Sequence, residues 1–410
     1  MRYSDRMGRL LLLEEELPFE TVMLLIGGLA LAITGGLLFP VAAGRLPYYE
    51  NGFFGLLLVV FALQTITMGK TPFGDMRRSK LLLFSGVVIA VLGIIICVIP
   101  GLSATLPRLL LAACFGLGGV VQLVRSYRDE TGMRAWTRCG GILRHLFFTC
   151  WGVYGLSILA GLLLWVQPPL PTPATAAIML LFGLVVMYLG CVLRLVYRAY
   201  PEAEHCRDGQ SGFALDHCML LLTGVFMVLL GIVLIPVILG LLPFSGSAQL
   251  GLLMIIFAIQ MLASGSTPIG ISLPRSWPVL ACGALFAALG IVSCVIPGIL
   301  VAPLTSLVGV LNILGGLIPL TTRMLSAARP PHGSGASDHP VLKKLSRTQL
   351  SLNLLSIMFG ASMLVPNLIP GLAIGAILAA NGGVLLYLLH LLIAIAAIAA
   401  GDSQAPHRCV

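Results

Sequence analysis

The chain has 410 residues, of which 58% are hydrophobic and only 10% are charged, and its formal net charge is +9. Soluble domains carry about 25% charged residues, so a chain this apolar cannot enclose its surface in a soluble core and needs lipid around it. An excess of Lys and Arg on the cytoplasmic side of a membrane accounts for the positive charge without nucleic acid. We therefore predict an integral membrane protein whose partner is the lipid bilayer, with no nucleic-acid partner.

The first half of the chain contains six apolar segments. About 20 helical residues span a bilayer core of roughly 30 Å, and the segments have that order of length. The sequence predicts helices at about 20–44, 52–69, 81–102, 109–124, 146–166 and 174–195. The N-terminal segment before the first helix carries arginines and a short leucine run but no signal-peptide cleavage site, so we expect it to be retained.

The second half repeats this order. Residues 83–101 and the residues 197 positions later are identical at 11 of 19 positions, and both copies end in Cys-Val-Ile-Pro-Gly. The predicted helices of the second half include 218–241, 279–300, 304–320, 350–364 and 373–399. Between 218–241 and 279–300 lies one more predicted helix, which repeats the helix at 52–69 with an offset of 196 residues.

The predicted fold is an all-α integral membrane protein with twelve transmembrane helices arranged as two parallel six-helix repeats. The repeats are parallel because an even number of spans returns the chain to the same side of the membrane. The predicted regions are a cytoplasmic N-terminal segment (1–18), the first repeat (19–197), a cytoplasmic linker (198–215), the second repeat (216–400, with a flexible cytoplasmic loop at 326–347) and a cytoplasmic tail (401–410).

The distribution of basic residues supports this count of spans. With the N-terminus in the cytoplasm, 22 of the 24 Lys and Arg residues fall in segments predicted to face the cytoplasm, and only Arg45 and Arg108 do not. A wrong count would scramble this separation. We therefore expect a multi-pass protein with both termini in the cytoplasm.

Glycines at a spacing of seven residues are the clearest packing pattern. Seven residues are close to two helical turns, so such glycines share a face, and in lipid close approach of helices replaces the hydrophobic effect. Prolines follow them near the helix ends. The predicted packing residues are Gly28, Gly35, Gly86, Gly93, Pro100, Gly224, Gly231, Gly283, Gly290 and Pro297.

The third and fourth helices, residues 86–124, form a Gly-rich hairpin with a Pro-Gly exit. This unit resembles the hairpins of the HdeD-like acid-resistance membrane proteins. The resemblance implies a bacterial inner-membrane protein with a non-enzymatic, structural or stress-related role, here as two units in tandem. It brings no catalytic residues with it.

A second hypothesis is a facilitator-type transporter of a small solute. Gln64 and Gln260 are repeat mates in short helices that end at a Gly-x-Thr-Pro-x-Gly turn, and Thr67 and Ser264 lie near them. Interrupted helices at matching positions of two halves often mark a transport site, so these residues are candidates to line a cavity between the halves. The alternative is that each glutamine makes one interhelical hydrogen bond.

The sequence predicts no metal, no cofactor and no catalytic residue. His205, Cys206, His217 and Cys218 have the wrong spacing for a usual zinc finger, and His390 has no obvious partner in its helix. Every Asp and Glu lies in a loop, a tail or a helix end, whereas coupled transporters and enzymes of the bilayer usually place acids inside the membrane.

Overall fold

The computed structural model describes residues 18–76, 79–102, 105–128, 141–166, 173–200, 215–265, 277–327, 340–365 and 368–403. Within these ranges the chain forms twelve helices. The first repeat contains α1 (Phe19–Ala42), α2 (Glu50–Met68), α3 (Lys80–Val98), α4 (Thr105–Arg128, with a π-helical turn at Ala113–Leu117), α5 (Ile142–Trp165) and α6 (Pro173–Ala199).

The second repeat contains α7 (Leu215–Ile238), α8 (Gly246–Ser264), α9 (Trp277–Val295), α10 (Val301–Ala327), α11 (Pro340–Leu364) and α12 (Gly371–Ser403). Eleven of the twelve described helices are long and apolar enough to cross a membrane. The exception is α11, whose first turns carry Lys343, Lys344 and Arg347. The all-α membrane class and the twelve helices are thus confirmed.

The structure departs from the sequence prediction at several helix ends. Helix α11 begins at Pro340, about three turns before the predicted start, so part of the predicted loop 326–347 is helical. Pro40 and Pro236 lie inside the last turns of α1 and α7, within the predicted helices 20–44 and 218–241. In the described part of the chain, the strands are β1 (Lys70–Thr71) and β2 (Gly74–Asp75), a small antiparallel hairpin between α2 and α3.

The chain divides into two compact units. The first contains α1–α6 together with α8 and α9, and the second contains α7, α10, α11 and α12. In the first unit α2 and α8 are the most enclosed helices, with 83% and 78% of their apolar windows buried. These two helices are repeat mates, so the duplication places equivalent helices at the centre of this unit.

Backbone contact at glycine joins the first and last helix of each repeat. A Cβ on Gly35 of α1 would lie 2.3 Å from the backbone nitrogen of Leu180 in α6. In the second repeat a Cβ on Gly231 of α7 would lie 2.4 Å from the backbone nitrogen of Ala379 in α12. Neither position has room for a side chain, and the same pairing recurs in both repeats.

The α2–α3 and α8–α9 hairpins pack in the same way. A Cβ on Gly55 would lie 2.5 Å from the Gly93 carbonyl oxygen, and one on Gly251 would lie 2.5 Å from the Gly290 carbonyl oxygen. Gly86 faces Ile66 across the first hairpin, and Gly283 faces Leu262 across the second. Pro100 and Pro297 lie just beyond the ends of α3 and α9.

Reciprocal hydrogen bonds join these two hairpins within the first unit. The Tyr49 backbone N–H donates to the Val295 carbonyl oxygen at 2.9 Å, and the Ser245 N–H donates to the Val98 carbonyl oxygen at 2.9 Å. Ser245 is the repeat mate of Tyr49, and Val295 is the mate of Val98. Contacts that map onto themselves when mates are exchanged define an approximate two-fold axis between the hairpins.

Helices α4 and α5, and their mates α10 and α11, share a polar contact. The Ser157 hydroxyl donates to the Phe115 carbonyl oxygen at 2.8 Å. The mate of Ser157, Ser356, donates to the carbonyl oxygen of Asn312, the mate of Phe115, at 3.0 Å. The second repeat therefore keeps a side-chain contact of the first as well as its glycine packing.

Candidate functional site

A cavity of about 560 Å³ lies inside the first repeat. Its lining residues come from five helices, α1, α2, α4, α5 and α6, and from the β1–β2 hairpin, and all lie between residues 20 and 193. This volume is typical of sites for small organic molecules. The polar part of the lining lies where α1 and α5 begin and where α2, α4 and α6 end, which we call the polar end.

An ion pair ties three elements together at the polar end. Glu20, in the first turn of α1, pairs with Lys70 of the hairpin, and its second carboxylate oxygen accepts a hydrogen bond of 2.8 Å from the Tyr197 hydroxyl of α6. The Glu20 and Lys70 side chains are only 16% and 24% exposed, so the pair is partly shielded from solvent. Because the charges neutralise each other, this pair adds no net charge to the cavity.

Three other polar side chains that line the cavity have no partner in the described part of the chain. Gln64 of α2 and Gln122 and Arg125 of α4 make no hydrogen bond or ion pair with any described residue. Gln122 and Arg125 are three residues apart, so they lie on one face of α4. Among the charged side chains of the lining, Arg125 is therefore the one whose charge is not balanced by a described neighbour.

The hairpin covers the polar end. Its turn is closed by the Thr71 hydroxyl, which donates to the Gly74 carbonyl oxygen at 2.8 Å. Pro72 lies directly on α4, because a Cβ on Gly118 would come within 2.7 Å of the Pro72 carbonyl oxygen. Gly69, in the left-handed conformation at the end of α2, makes the sharp change of direction that the hairpin needs.

Aromatic rings occupy the opposite part of the cavity. The Phe61 and Phe115 rings are 5.4 Å apart between centroids, and those of Phe115 and Phe182 are 5.8 Å apart, both edge to face. This is a favourable geometry for aromatic pairs. The three rings, from α2, α4 and α6, give the cavity an apolar region, which we call the aromatic cluster.

The π-helical turn of α4 lies at the aromatic cluster. A π turn shifts the backbone hydrogen bonds by one residue and is frequent at functional sites. Here Phe115 lies within the turn, and its carbonyl oxygen accepts the Ser157 hydrogen bond described above. The turn therefore sets the position of the Phe115 ring, and α5 holds it in place.

The sequence-derived site residues separate in the structure. Gln64 lines the cavity, whereas Gln260 is not among its lining residues and has contacts of its own. The Thr67 hydroxyl donates to the Leu63 carbonyl oxygen at 2.6 Å within α2. Ser264 is the last residue of α8, and its side chain lies outside the described residues. The cavity that Gln64 lines thus lies within the first repeat, and a cavity between the halves stays a prediction.

The sequence argument missed Glu20, Lys70, Tyr197, Gln122 and Arg125. Glu20 and Tyr197 are 177 residues apart, and Glu20 and Lys70 are 50 apart, so no local pattern connects them. One signal was available, because Glu20 is an acid at the very start of an apolar helix, where the helix dipole also favours it.

A second ion pair lies at the other end of the helices. The Arg108 Nη2 atom is 2.9 Å from the Glu50 Oε1 atom. Burial raises the pKa of the neighbouring Tyr48 hydroxyl well above its usual range, and Glu50 adds to this while Arg108 opposes it. Arg108 is one of the two basic residues outside the predicted cytoplasmic segments, and its charge is compensated by this pair.

Metal-ligand side chains do not cluster in the described part of the chain. No group of three or more His, Cys, Asp and Glu residues forms there. His205 and Cys206 lie outside the described residues, while Cys218 is buried in α7. His390 lies in α12 with its side chain exposed.

Comparisons with known proteins add one finding. A family model described as a short repeat of unknown function (DUF308) matches residues 84–147, which cover most of α3, all of α4 and the start of α5. This family occurs in HdeD-like membrane proteins, so the match partly supports the resemblance noted for residues 86–124. Comparisons with curated proteins and with solved structures find no match.

Proposed function

We propose that the chain is a multi-pass protein of the bacterial inner membrane that binds a small solute in the cavity of its first repeat and acts as a facilitator-type transporter. The observation that carries this proposal is the cavity itself, in which Gln64, Gln122 and Arg125 have no described partner. Gln64 and Gln122 are half-buried and Arg125 is exposed, so these polar groups are accessible to a solute that enters the cavity. A few polar groups in a mostly apolar pocket are what orients a small ligand. Three such groups around one cavity favour a ligand site.

The proposed orientation places both termini and the polar end of the cavity at the cytoplasmic side. It rests on the distribution of basic residues along the sequence. In this orientation the hairpin with Lys70 covers the cytoplasmic entrance, and the aromatic cluster lies deeper in the membrane. The solute would enter past the hairpin and meet Gln122 and Arg125 first.

Filling the cavity tests this proposal. A Cβ on Gly27, which lines the cavity, would meet only Val60 Cγ1 at 4.0 Å, so Gly27→Phe can extend into the open space. The matched control is Gly36→Phe on the same helix, where a Cβ has no atom within 4 Å. Gly36 is exposed and is not among the lining residues.

The measurement is solute entry into proteoliposomes, followed by light scattering over a panel of small neutral and anionic organic solutes. We expect the full chain to accelerate the entry of at least one solute, Gly27→Phe to abolish the acceleration, and Gly36→Phe to retain it. Equal acceleration by both variants would contradict a route through this cavity.

A second candidate is a non-enzymatic, structural or stress-related role of the HdeD-like kind. The match at residues 84–147 and the side-chain-free helix contacts at glycine favour it. On this proposal, acid survival of cells that express the chain would depend on the glycine contacts and would be the same for Gly27→Phe and for Gly36→Phe. A loss confined to Gly27→Phe would favour the solute site instead.

A further inference from the structure

The ligand class of the cavity can be narrowed by its charge. The charged side chains that line the cavity are Glu20, Lys70 and Arg125. Glu20 and Lys70 neutralise each other, and Tyr197 further satisfies the Glu20 carboxylate. Among the described residues Arg125 has no ionic partner, and it lies one turn from the Gln122 amide on the same face of α4. A guanidinium with five N–H donors matches a carboxylate or phosphate group bidentately.

The cavity is also long, and its lining changes from polar at one end to aromatic at the other. Arg125 lies ten residues after Phe115 on α4, which corresponds to roughly 15 Å along a helix axis. The Gln64 amide lies one turn beyond Phe61 on α2, so it borders the aromatic cluster on the side of the polar end. A ligand that reaches from Arg125 to the three rings must therefore be polar at one end and apolar at the other.

We infer that the cavity binds an amphipathic organic anion, with its acidic group at Arg125 and Gln122 and its apolar part against Phe61, Phe115 and Phe182. This inference rests on the proposed solute site and names its ligand class. Gln64 would hydrogen-bond the middle of the ligand. Repulsion from a cation at Arg125 would exclude organic cations of the same length.

The acidic group could belong to a free solute or to an anionic lipid, because both present the same chemistry to Arg125. The described contacts of the hairpin favour neither source. Pro72 packs on α4 and Lys70 pairs with Glu20, while Gly74 lies against the Arg125 guanidinium, since a Cβ there would come within 2.7 Å of Nη1. The experiment therefore needs one arm with a soluble probe and one arm with an anionic lipid.

The probe is radiolabelled decanoate, added at pH 8 to the full chain in nanodiscs of zwitterionic phosphatidylcholine, with empty nanodiscs subtracted. We expect saturable binding that Arg125→Gln weakens at least tenfold and Arg125→Lys weakens less. The matched control is Arg128→Gln, in the same last turn of α4 but not in the cavity lining, which should bind like the unchanged chain. Decyltrimethylammonium, a cation with the same ten-carbon chain length, should not displace decanoate.

The lipid arm repeats the titration in nanodiscs that contain phosphatidylglycerol. Loss of decanoate binding there would identify the lipid headgroup as the natural anion, and unchanged binding would identify a free solute. Both results support an anionic amphiphile as the ligand of the cavity. Binding that is unchanged in Arg125→Gln, or equally strong competition by decyltrimethylammonium, would overturn the inference.

The failure of this inference is distinguishable from the failure of the proposed site. If decanol and decanoate bind equally and Gly27→Phe removes both, the anion inference fails and the solute site stands. If Gly27→Phe changes the binding of neither decanol nor decanoate, the anion inference and the proposed solute site both fail. Size-exclusion profiles of each variant, matched to the unchanged chain, separate these outcomes from misfolding.

Discussion

The two repeats share their packing but differ in their polar groups. Gly35 and Gly231 make the same close approach, and Ser157 and Ser356 donate the same interhelical hydrogen bond. At the polar end, by contrast, Gln122 corresponds to Pro319 and Arg125 to Thr322. The duplication therefore preserved the helix contacts but only part of the cavity lining, since Gln64 keeps a glutamine mate while Gln122 and Arg125 differ from their mates.

The aromatic cluster differs between the repeats as well. Phe61 has a phenylalanine mate, but Phe115 corresponds to Asn312 and Phe182 to Asn381. Asn381 is buried, and its Oδ1 atom has no described hydrogen-bond partner. The comparison shows that backbone contact at glycine is common to both copies, whereas the aromatic cluster belongs to the first copy.

The largest expected effect comes from adding a methyl group at a glycine contact. Gly35→Ala would place its Cβ 2.3 Å from the Leu180 backbone nitrogen, and backbone cannot yield as a side chain can. We expect a loss of about 1–3 kcal/mol in unfolding free energy in mixed micelles, as for an overpacked core. Gly231→Ala, at the mate position, should lose a similar amount.

Gly36→Ala, one residue away, is the control for this prediction. Its Cβ has no atom within 4 Å, so its stability should be unchanged or slightly raised by the better helix propensity of alanine. Equal destabilisation by Gly35→Ala and Gly36→Ala would show that α1 does not pack on α6 through this face.

The second expected effect concerns the ion pair that holds the hairpin. Lys70→Met removes the cation that pairs with the partly buried Glu20 carboxylate, and we expect a loss of about 1–2 kcal/mol in unfolding free energy. Glu20→Gln added to Lys70→Met should restore part of the lost unfolding free energy. Additive losses in this double-mutant cycle would mean that the pair does not couple the hairpin to α1.

The smallest effect tests what the repeats share. Ser157→Ala and Ser356→Ala each remove the interhelical hydrogen bond to the facing carbonyl oxygen, worth about 0.6 kcal/mol on average in membrane proteins, and Ser356→Ala also removes a 3.2 Å contact with Asn312 Oδ1. We expect comparable losses in the two repeats, measured by unfolding in the same micelles. A loss confined to one variant would show that the two contacts differ in spite of their common geometry.

Regular features of the fold were predictable from the sequence, because they follow from local patterns. Apolar length predicted the helices, and the seven-residue glycine spacing predicted the contact faces of Gly28, Gly35, Gly224 and Gly231. The start of α11 was missed because its first turns are basic rather than apolar. Gly52, whose Cβ would lie 2.0 Å from the Cys294 carbonyl oxygen, was missed because it has no partner at that spacing.

The candidate site was far less predictable than the fold. Gln64 was singled out because it recurs as Gln260, and the structure places Gln64 in the lining of this cavity but not Gln260. Glu20 and Tyr197 meet only through the packing of α1 on α6, and the π turn at Phe115 leaves no mark in the hydropathy pattern. Lining residues such as Gln122 and Arg125, which differ from their mates in the second repeat, are hidden from an argument built on repetition.

The most direct test of the central claim, that packing was duplicated while ligand binding belongs to the first repeat, compares Gln64→Leu with Gln260→Leu. Both variants are read by solute entry into proteoliposomes and by the decanoate titration. We predict that Gln64→Leu impairs both and that Gln260→Leu leaves both unchanged. Equal impairment by the two variants, or impairment by Gln260→Leu alone, would contradict the claim.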